Sequence, residues 1–264
     1  MRVVSLNAWC GGMFESLAQW LPKCGADVLC LQEVTQTPGY REWVTYTDAD
    51  RTSRQRASLF DDVRRVLPDH QAQFFTCDTG PVDCEDGVVR RQHFGIATLV
   101  APHLAVVGGE VTFVHGAFAH HDAWPAQGRG RLAHAIRVAD RDGSCTTVAH
   151  FHGVRMASGK NDTPQRRTQA ERVAALIGRV RQPEDVVVAA GDMNILPNSE
   201  TFEILARIGL TDLVGQADTR TSAYVKPVRH ASYLLVSDVD AVASLQVLTS
   251  PEVSDHRPIA LDLT

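Results

Sequence analysis

Signals for export, membrane insertion and disulfide bonding are missing from this sequence of 264 residues. It contains no run of about 18 apolar residues, the length that a membrane span requires, and its first residues show no signal-peptide pattern. Six cysteines are scattered without C-x-x-C spacing. Cys77 and Cys84 could pair in an oxidising compartment, but we expect free thiols. These absences predict a cytoplasmic protein without a membrane span.

Tryptophan and tyrosine are also scarce, and the chain carries no excess of positive charge. Only four Trp and four Tyr are present, and the net charge is −5. A surface covered with Lys and Arg for indiscriminate duplex binding is therefore disfavoured, whereas a local basic groove is not. No Pro/Gly/Ser-rich linker, repeat or low-complexity tract divides the chain, so we predict one domain over residues 1–264.

Short runs rich in β-branched and other apolar residues are frequent, and they predict β-strands. These runs are Val3–Leu6, Val28–Leu31, Phe94–Val100, Leu104–Val107, Ala133–Val138, Thr146–Phe151, Val186–Ala190, Tyr233–Val236, Leu245–Leu248 and Pro258–Leu263. About ten strands with four clear helices fit two packed sheets with helices outside better than a doubly wound parallel sheet.

Four helical patterns lie between these runs. Two cover residues 13–21 and 55–67, and another follows Ser199. The clearest begins near Asp162, a capping residue followed by Pro164 in the first turn. Its apolar face has 3.6-residue spacing and consists of Ala170, Val173, Ala174, Ile177 and Val180. Residues 39–92 are polar and poorly patterned, and we expect a long loop within them.

Polar side chains lie beside five of the apolar runs, four times after the run and once before it. They are Asn7, Gln32-Glu33, His150 to His152, Asp192 to Asn194, and Ser254 to His256. A single such residue usually belongs to a turn or a helix cap. Five together indicate a site at the strand ends that holds a divalent ion and a phosphate.

These strings resemble the endonuclease/exonuclease/phosphatase superfamily, which has the deoxyribonuclease I-like fold. The matching pieces are Ser5 to Trp9, Leu31 to Val34, Phe151-His152, Gly191 to Asn194, and Ser254 to Pro258. They occur in the family's order and span nearly the whole chain. Gly159 to Pro164, Arg166-Arg167 and Gln169 also look like bacterial members of unassigned substrate. The resemblance implies an α+β fold, a four-layer αββα sandwich of two mainly antiparallel sheets flanked by helices, and hydrolysis of phosphoesters with Mg²⁺ or Mn²⁺.

Glu33, Asn7 and Asp255 are the predicted metal ligands. Mg²⁺ takes oxygen ligands and needs only one or two carboxylates besides the substrate phosphate. Glu33 is the best candidate, and the resemblance places the other two nearby. Alternatively, Glu33 only caps a turn.

Asp192, Asn194, His152 and His256 are the predicted catalytic residues. Asp192 and Asn194 share a face of an extended segment, so Asp192 can orient or deprotonate a water while Asn194 donates to a phosphoryl oxygen. An Asx-turn is the simpler alternative for this pair. Either imidazole can donate to the phosphate or act as acid or base, although a strand histidine such as His152 is often only a packed residue.

Ser232 marks a departure from the family pattern. Relatives often carry Asp here, paired with the imidazole that corresponds to His256. A carboxylate stabilises imidazolium far better than a hydroxyl does. We therefore predict that the pKa of His256 is less elevated than in Asp-bearing relatives, which an NMR titration can measure.

Four cations close to His152 in sequence are candidates for substrate phosphate: Arg155, Lys160, Arg166 and Arg167. They could equally be the solvated start of a helix. Trp9 is expected to pack behind the site. The string Gly128 to Arg131 matches a dinucleotide fingerprint but precedes a strand, so the mechanism is absent. The cluster His115, His120, His121 and Asp122 lacks metal-ligand spacing, and we expect it to line the substrate entrance.

The predicted function is metal-dependent hydrolysis of a phosphodiester or phosphomonoester in a small phosphorylated molecule or nucleotide. The main alternative is a Mg²⁺-dependent DNA or RNA endonuclease or exonuclease, which would need a basic groove with stacking aromatics. A non-catalytic phosphate-binding module is a third hypothesis, suggested by Ser232. Catalytic motifs do not separate substrates within one fold.

Overall fold

Two β-sheets lie face to face in the computed structural model, which describes residues 1–264. The strands are β1 (Arg2–Asn7), β2 (Val28–Gln36), β3 (Trp43–Thr47), β4 (Thr52–Arg56), β5 (Gln71–Cys84), β6 (Val89–Val100), β7 (Ala105–His115), β8 (Ala119–His120), β9 (Arg131–Ala139), β10 (Cys145–His152), β11 (Val186–Asp192), β12 (Thr211–Asp212), β13 (Ser232–Val236), β14 (Val242–Val247) and β15 (Ile259–Leu263). The helices are α1 (Phe14–Trp20), α2 (Leu59–Val66), α3 (Pro164–Val180) and α4 (Glu200–Ala206), with 3₁₀ turns at Trp9–Gly11 and Leu21–Lys23.

The strand order is β14-β15-β1-β2-β6-β5-β3-β4 in the first sheet, with β8 added to β5, and β12-β13-β11-β10-β9-β7 in the second. Most neighbours are antiparallel, and only the pairs β1–β2, β10–β11 and β5–β8 are parallel. Helices α1 and α2 pack on the outer face of the first sheet, and α3 packs on the second beside α4. The predicted four-layer αββα class is confirmed.

The core between the sheets is built from the apolar runs seen in the sequence. Its largest cluster combines residues from both sheets, such as Val28 and Val188, with α3 residues such as Val173 and Ile177. All six cysteines are free, as predicted. No helix has the length and apolar character needed to cross a membrane.

The expectation of a long loop within residues 39–92 is wrong. Strands β3 to β6 and helix α2 occupy most of this segment. Helix α2 also begins at Leu59, four residues later than the pattern indicated, because Thr52–Arg56 pairs with β3 as β4. The sequence did not predict β4 because all of its residues are polar. Its hydrogen-bond partners, rather than an apolar pattern, determine its structure.

The cap of α3 also differs from the prediction. The Oγ of Thr163, not Asp162, accepts the backbone N–H of Arg166 at 3.3 Å. The carboxylate of Asp162 instead accepts hydrogen bonds from the Ser199 hydroxyl and the backbone N–H of Glu200. Asp162 therefore ties α3 to α4 at the start of both helices.

Gly191 lies on β11 directly opposite Phe151 of β10. Its φ is +142°, and an added Cβ would lie 2.0 Å from the carbonyl oxygen of Phe151. We expect Gly191→Ala to lower the free energy of unfolding by about 3 kcal/mol, because backbone must move to admit the methyl group. Urea denaturation measures this change. Gly178→Ala is the matched control on an open face of α3, and it should raise stability by up to about 1 kcal/mol. Equal effects of the two substitutions would contradict the prediction.

Candidate active site

A cavity of about 1110 Å³ lies over Glu33, His152, Asp192, Asn194 and His256, all of which line it. These five residues come from four separate segments of the chain, yet the fold brings them to one end of the two sheets. The parallel pairs β1–β2 and β10–β11 explain this convergence, since parallel strands carry their carboxyl ends to the same edge.

Strand register places three site residues in one row. His152 pairs with Asp192 between β10 and β11, and Asp192 pairs with Ser232 between β11 and β13. Because paired residues on neighbouring strands face the same side of a sheet, their side chains lie together. The row therefore has its geometry fixed by backbone hydrogen bonds.

Glu33 reaches the cavity by a different route. Strand β2 does not end at Leu31 as predicted but continues to Gln36, with a bulge between Leu31 and Val34. Glu33 lies in this bulge with φ +53°, a conformation that is unusual for a residue other than glycine. A bulge turns a side chain away from the normal alternation, and here it directs the carboxylate of Glu33 into the cavity.

Asp192 is the most heavily contacted acid of the site. Its Oδ2 accepts the Asn7 Nδ2–H at 2.9 Å and lies 3.3 Å from His256 Nε2. Its Oδ1 accepts the backbone N–H of Asn194 at 3.1 Å. Asn194 itself has φ +53°, so the turn after β11 bends back toward the carboxylate. Asn7 is buried and stands beneath Asp192, while its own Oδ1 accepts the backbone N–H of Trp9.

Both central carboxylates are held in the ionised form. Burial alone would raise the pKa of Asp192, but the imidazoles of His256 and His152 and the cations of Arg220 and Lys160 lower it below its ordinary value. Burial likewise opposes ionisation of Glu33, and the His152 imidazole leads the groups that lower the Glu33 pKa nevertheless.

His256 is held between Ser232 and Asp192. Its Nδ1 lies 2.9 Å from the Ser232 hydroxyl, and its Nε2 faces the Asp192 carboxylate. A carboxylate only accepts hydrogen bonds, so these partners assign the proton to Nε2 and make the Ser232 hydroxyl the donor to Nδ1. Burial lowers the pKa of His256 to about 3, with Arg220 adding to the effect. This is the direction expected without a carboxylate at Nδ1, and the comparison with Asp-bearing relatives stays a prediction.

Ser232→Asp tests that prediction within this chain. The new carboxylate would lie against Nδ1 and favour imidazolium, so we expect the pKa of His256 to rise relative to the natural protein. Nitrogen-edited NMR titration of the ring measures the pKa and also reports the tautomer. Ser232→Ala is the control: it removes a donor that favours the neutral ring, so the pKa should stay unchanged or rise less than in Ser232→Asp. An unchanged pKa in Ser232→Asp would contradict the assignment.

His152 faces the centre of the cluster. Its Nε2 lies 3.8 Å from Glu33 Oε1 and 3.8 Å from Asp192 Oδ2. Burial lowers its pKa to about 4, and Arg131 contributes in the same direction. Nδ1 is buried without a hydrogen-bond partner. Neutral imidazole at this point can bind either a cation or a phosphate oxygen.

Asp255 lies at the edge of the cluster rather than in it. Its Oδ2 accepts Arg220 Nη1–H at 2.9 Å, and its Oδ1 lies 3.9 Å from His256 Nε2. Burial raises the pKa of Asp255 to about 7, with Glu33 and Asp192 adding to the effect and Arg220 opposing it. Its assignment as a metal ligand stays a prediction.

The four predicted phosphate-binding cations occupy different positions. Arg155 and Lys160 line the cavity, and burial lowers the pKa of Lys160 to about 8. Arg166 touches the cavity too, but only 1% of it is exposed and it donates to the carbonyls of the loop at residues 154–161. Arg167 pairs with Glu200 and does not line the cavity.

The sequence alone did not reveal several residues of the cavity wall: Tyr46, Arg51, Phe94, Arg129, Arg131 and Arg220. Arg129 and Arg131 belong to the string Gly128 to Arg131, which only resembles a dinucleotide-binding motif. Their position just before a predicted strand was the only sequence signal that could have placed them in the cavity wall. Trp9 does not line the cavity, and its ring packs next to Gly12.

The expected position of the histidine cluster at the entrance is wrong, because none of its four residues lines the cavity. Strand β8 pairs with β5, which carries His120 and His121 away from the site. His121 contacts the Asp78 carboxylate at 3.2 Å, and His120 contacts the Thr79 hydroxyl at 2.9 Å. These local partners account for His120 and His121.

The αββα layers and the acid, amide and imidazole groups at one end of the sheets define the deoxyribonuclease I-like class. The sequence profile of the Endonuclease/Exonuclease/phosphatase family matches residues 4–256, and the chain belongs to this family. Proteins of the family generally hydrolyse phosphoester bonds. A sequence search among curated proteins finds no match.

Solved structures share the fold at low sequence identity. A mannosyl-6-phosphatase of Bacteroides thetaiotaomicron has a TM-score of 0.70 and 15% identity, covering 100% of this chain and 99% of its own. The human Nocturnin catalytic domain with bound sulfate gives 0.65 and 15%, with coverage of 100% and 94%. Danio rerio TDP2 complexed with a single-strand DNA product also gives 0.65 and 15%, with coverage of 99% and 97%.

Proposed function

We propose that this chain is a divalent-metal-dependent phosphoric ester hydrolase acting on a small phosphorylated molecule or nucleotide. One observation carries the proposal. Ligand atoms of Glu33, His152 and Asp192 all lie within 4.8 Å of one another on the floor of the cavity. Two ionised carboxylates this close, without a cationic side chain between them, favour a bound cation. We also propose that the whole chain acts as one catalytic domain in the cytoplasm.

The donor set fits a hard ion such as Mg²⁺ or Mn²⁺. Glu33 offers carboxylate oxygens, and Asn7 Oδ1 retains a lone pair beyond the one that accepts Trp9 N–H. These two residues would hold the ion, with Asp255 as the third predicted ligand. When bound, the ion neutralises charge on the phosphate and on the leaving oxygen.

The side chains around this position have distinct tasks. Asp192 stays ionised and is an acceptor for the hydrogen of an attacking water, whereas Asn7 and Asn194 fix its orientation. His256 presents Nε2–H toward the same place and can donate to a phosphoryl oxygen. Asn194 donates one amide hydrogen to Gly153 O at 3.3 Å, and its second amide hydrogen is free to donate to the substrate.

A nuclease is the second candidate function. The similarity to TDP2 bound to a single-strand DNA product supports it, as does the presence of Arg155 and Lys226 in the cavity lining. Apart from histidines, that lining contains only three aromatic side chains, Tyr46, Phe94 and Tyr224. A stacking platform for successive bases would need more aromatic faces along a groove. We therefore favour the small substrate.

A hydrolysis panel tests the proposal. Plasmid, single-stranded DNA, RNA, nucleotides, sugar phosphates and a chromogenic phosphodiester are incubated with Mg²⁺, Mn²⁺ or a chelator, and Asp192→Ala serves as the inactive control. We expect turnover of a small phosphoester only with a divalent ion. If nothing turns over with either ion, or if Asp192→Ala matches the natural protein, the enzyme assignment fails and a phosphate-binding module takes its place.

A further inference from the structure

Positive charge is concentrated in the cavity although the chain as a whole is acidic. The cavity lining contains eight cationic side chains and four carboxylates, in a protein with net charge −5. The cations are Arg51, Arg129, Arg131, Arg155, Lys160, Arg166, Arg220 and Lys226, and the acids are Glu33, Asp48, Asp50 and Asp192. One phosphate and one divalent ion do not require so many fixed cations.

Arg131 is a buried cation without an acidic partner. It is 6% exposed, and no carboxylate oxygen forms a salt bridge with it. Its Nε donates to Gly153 O at 3.1 Å and its Nη1 to Gly130 O at 3.2 Å, while Nη2 has no protein acceptor. Burial lowers the pKa of Arg131. An uncompensated buried charge is costly, so its position at the cavity wall indicates an anionic ligand.

Arg129 stands next to Arg131 in a fixed orientation. Its Nε and Nη2 donate to the two oxygens of Asp78, each at 2.7 Å, and Nη1 has no protein acceptor. The guanidinium lies 4.0 Å from the centre of the Phe94 ring and 4.4 Å from that of Trp124. Pre-ordered guanidinium donors are well suited to phosphate and carboxylate oxygens.

This pair is separate from the cations near the reacting centre. Lys160 and Arg220 act on the charges of Asp192 and His256. Arg131 begins β9, which lies on the opposite side of β10 from β11, and it acts with Arg129 on the charge of His152. Phe94, which supports Arg129, has its ring 6.2 Å from the ring of His152. His152 therefore stands between two positively charged regions of one cavity.

We propose that Arg129 and Arg131 form a second anion subsite, so that the substrate is a small molecule with a phosphate or carboxylate group in addition to the scissile phosphoester. This inference rests on the proposed function, because the scissile group is placed at Asp192 and His256. The enclosed position of the two guanidinium groups fits a small molecule better than a polymer, whose phosphates would follow an open basic stripe.

Calorimetric binding in EDTA tests the subsite without any hydrolysis. The ligands are glucose 6-phosphate, glucose 1,6-bisphosphate, 6-phosphogluconate and a short single-stranded oligonucleotide. The natural protein should bind the bisphosphate or the phosphorylated acid about tenfold or more tightly than glucose 6-phosphate, as expected for added hydrogen bonds between charged groups. The better of these two ligands identifies the second group as phosphate or carboxylate.

Two variants and one control assign the effect. Arg131→Gln should remove the advantage of the doubly anionic ligand and leave the affinity for glucose 6-phosphate unchanged. Arg131→Lys, which keeps the buried charge in case the first variant folds poorly, should retain only part of the advantage. Arg137→Gln is the control on the same strand, because Arg137 pairs with Asp185 outside the cavity, and it should bind as the natural protein does.

Several results would overturn the inference. Equal affinity of the natural protein for singly and doubly anionic ligands, or no binding, would remove the subsite. If Arg131→Gln lowered the affinity for every ligand by the same factor, Arg131 would contact the scissile phosphate instead. An oligonucleotide that binds tightest and depends on Arg131 would overturn the small-molecule class. Hydrolysis of glucose 6-phosphate with Mg²⁺ is measured separately, so failure of the proposed function is distinguishable from failure of the subsite.

Discussion

Asp192→Asn is expected to lower kcat by about 10³-fold and to leave KM nearly unchanged. The substitution keeps the shape of the side chain but removes the charge that Asn7, Asn194 and His256 are arranged around. A neutral amide does not accept a proton from water, and it lacks the negative charge that faces Nε2–H of His256. Steady-state kinetics on the best substrate of the panel measures the effect, and thermal unfolding separates it from loss of folded protein.

Asp185→Asn is the matched control for this experiment. Asp185 precedes β11 at the opposite end from Asp192, where it accepts hydrogen bonds from Arg137, Thr147 and the backbone of Gln182. Its substitution should lower stability and leave kcat per folded molecule unchanged. If Asp192→Asn retained more than about a tenth of the natural kcat, Asp192 would not have the role in orienting water given above.

Glu33→Gln should raise the Mn²⁺ concentration needed for half-maximal activity by about 10²-fold. It should also lower kcat at saturating metal by about 10²-fold. The amide keeps one oxygen but loses the charge that a hard cation prefers. Calorimetric titration with Mn²⁺ measures the affinity directly and does not depend on knowing the substrate.

The control for the metal experiment is Glu110→Gln. Glu110 lies on β7 and pairs with Arg179 at the surface, away from the cavity. The Glu110→Gln variant should need the same Mn²⁺ concentration for half-maximal activity as the natural protein. Unchanged Mn²⁺ affinity in Glu33→Gln would show that the ion, if required, is held by other residues, and the ligand assignment would be wrong.

Much of the fold follows from local patterns in the sequence. The helix α3 has apolar residues at helical spacing and Pro164 in its first turn, and the strands β10 and β11 are apolar enough to be recognised alone. Strand β4 (Thr52–Arg56) contains no apolar residue. It forms because β3 supplies its hydrogen-bond partners and because Gln55 bonds to Gln92 and Arg56 to Asp62. Hydrogen bonds between polar residues leave no apolar periodicity in the sequence, so this strand could not be recognised.

In the candidate site too, residues marked by local motifs were predictable and residues oriented by tertiary contacts were not. Asn7, His152 and Asp192 end their strands, so the order of short motifs was enough to predict that they converge. Glu33 was found by its motif, but the bulge that directs it was not. Arg129 could not be placed because its orientation depends on Asp78 and Phe94, which are distant in sequence. Arg166, predicted from its charge, mainly organises backbone carbonyls.

The row of paired residues His152, Asp192 and Ser232 is held by the backbone of three neighbouring strands. Their spacing is set by the sheet, so we expect it to be independent of the loops that border the cavity. Arg155 and Lys160, by contrast, are carried by the segment that follows β10. Exchanging that segment for the corresponding one from a relative should therefore redirect substrate choice without rebuilding the reacting centre, which makes the loop the natural target for engineering new specificity.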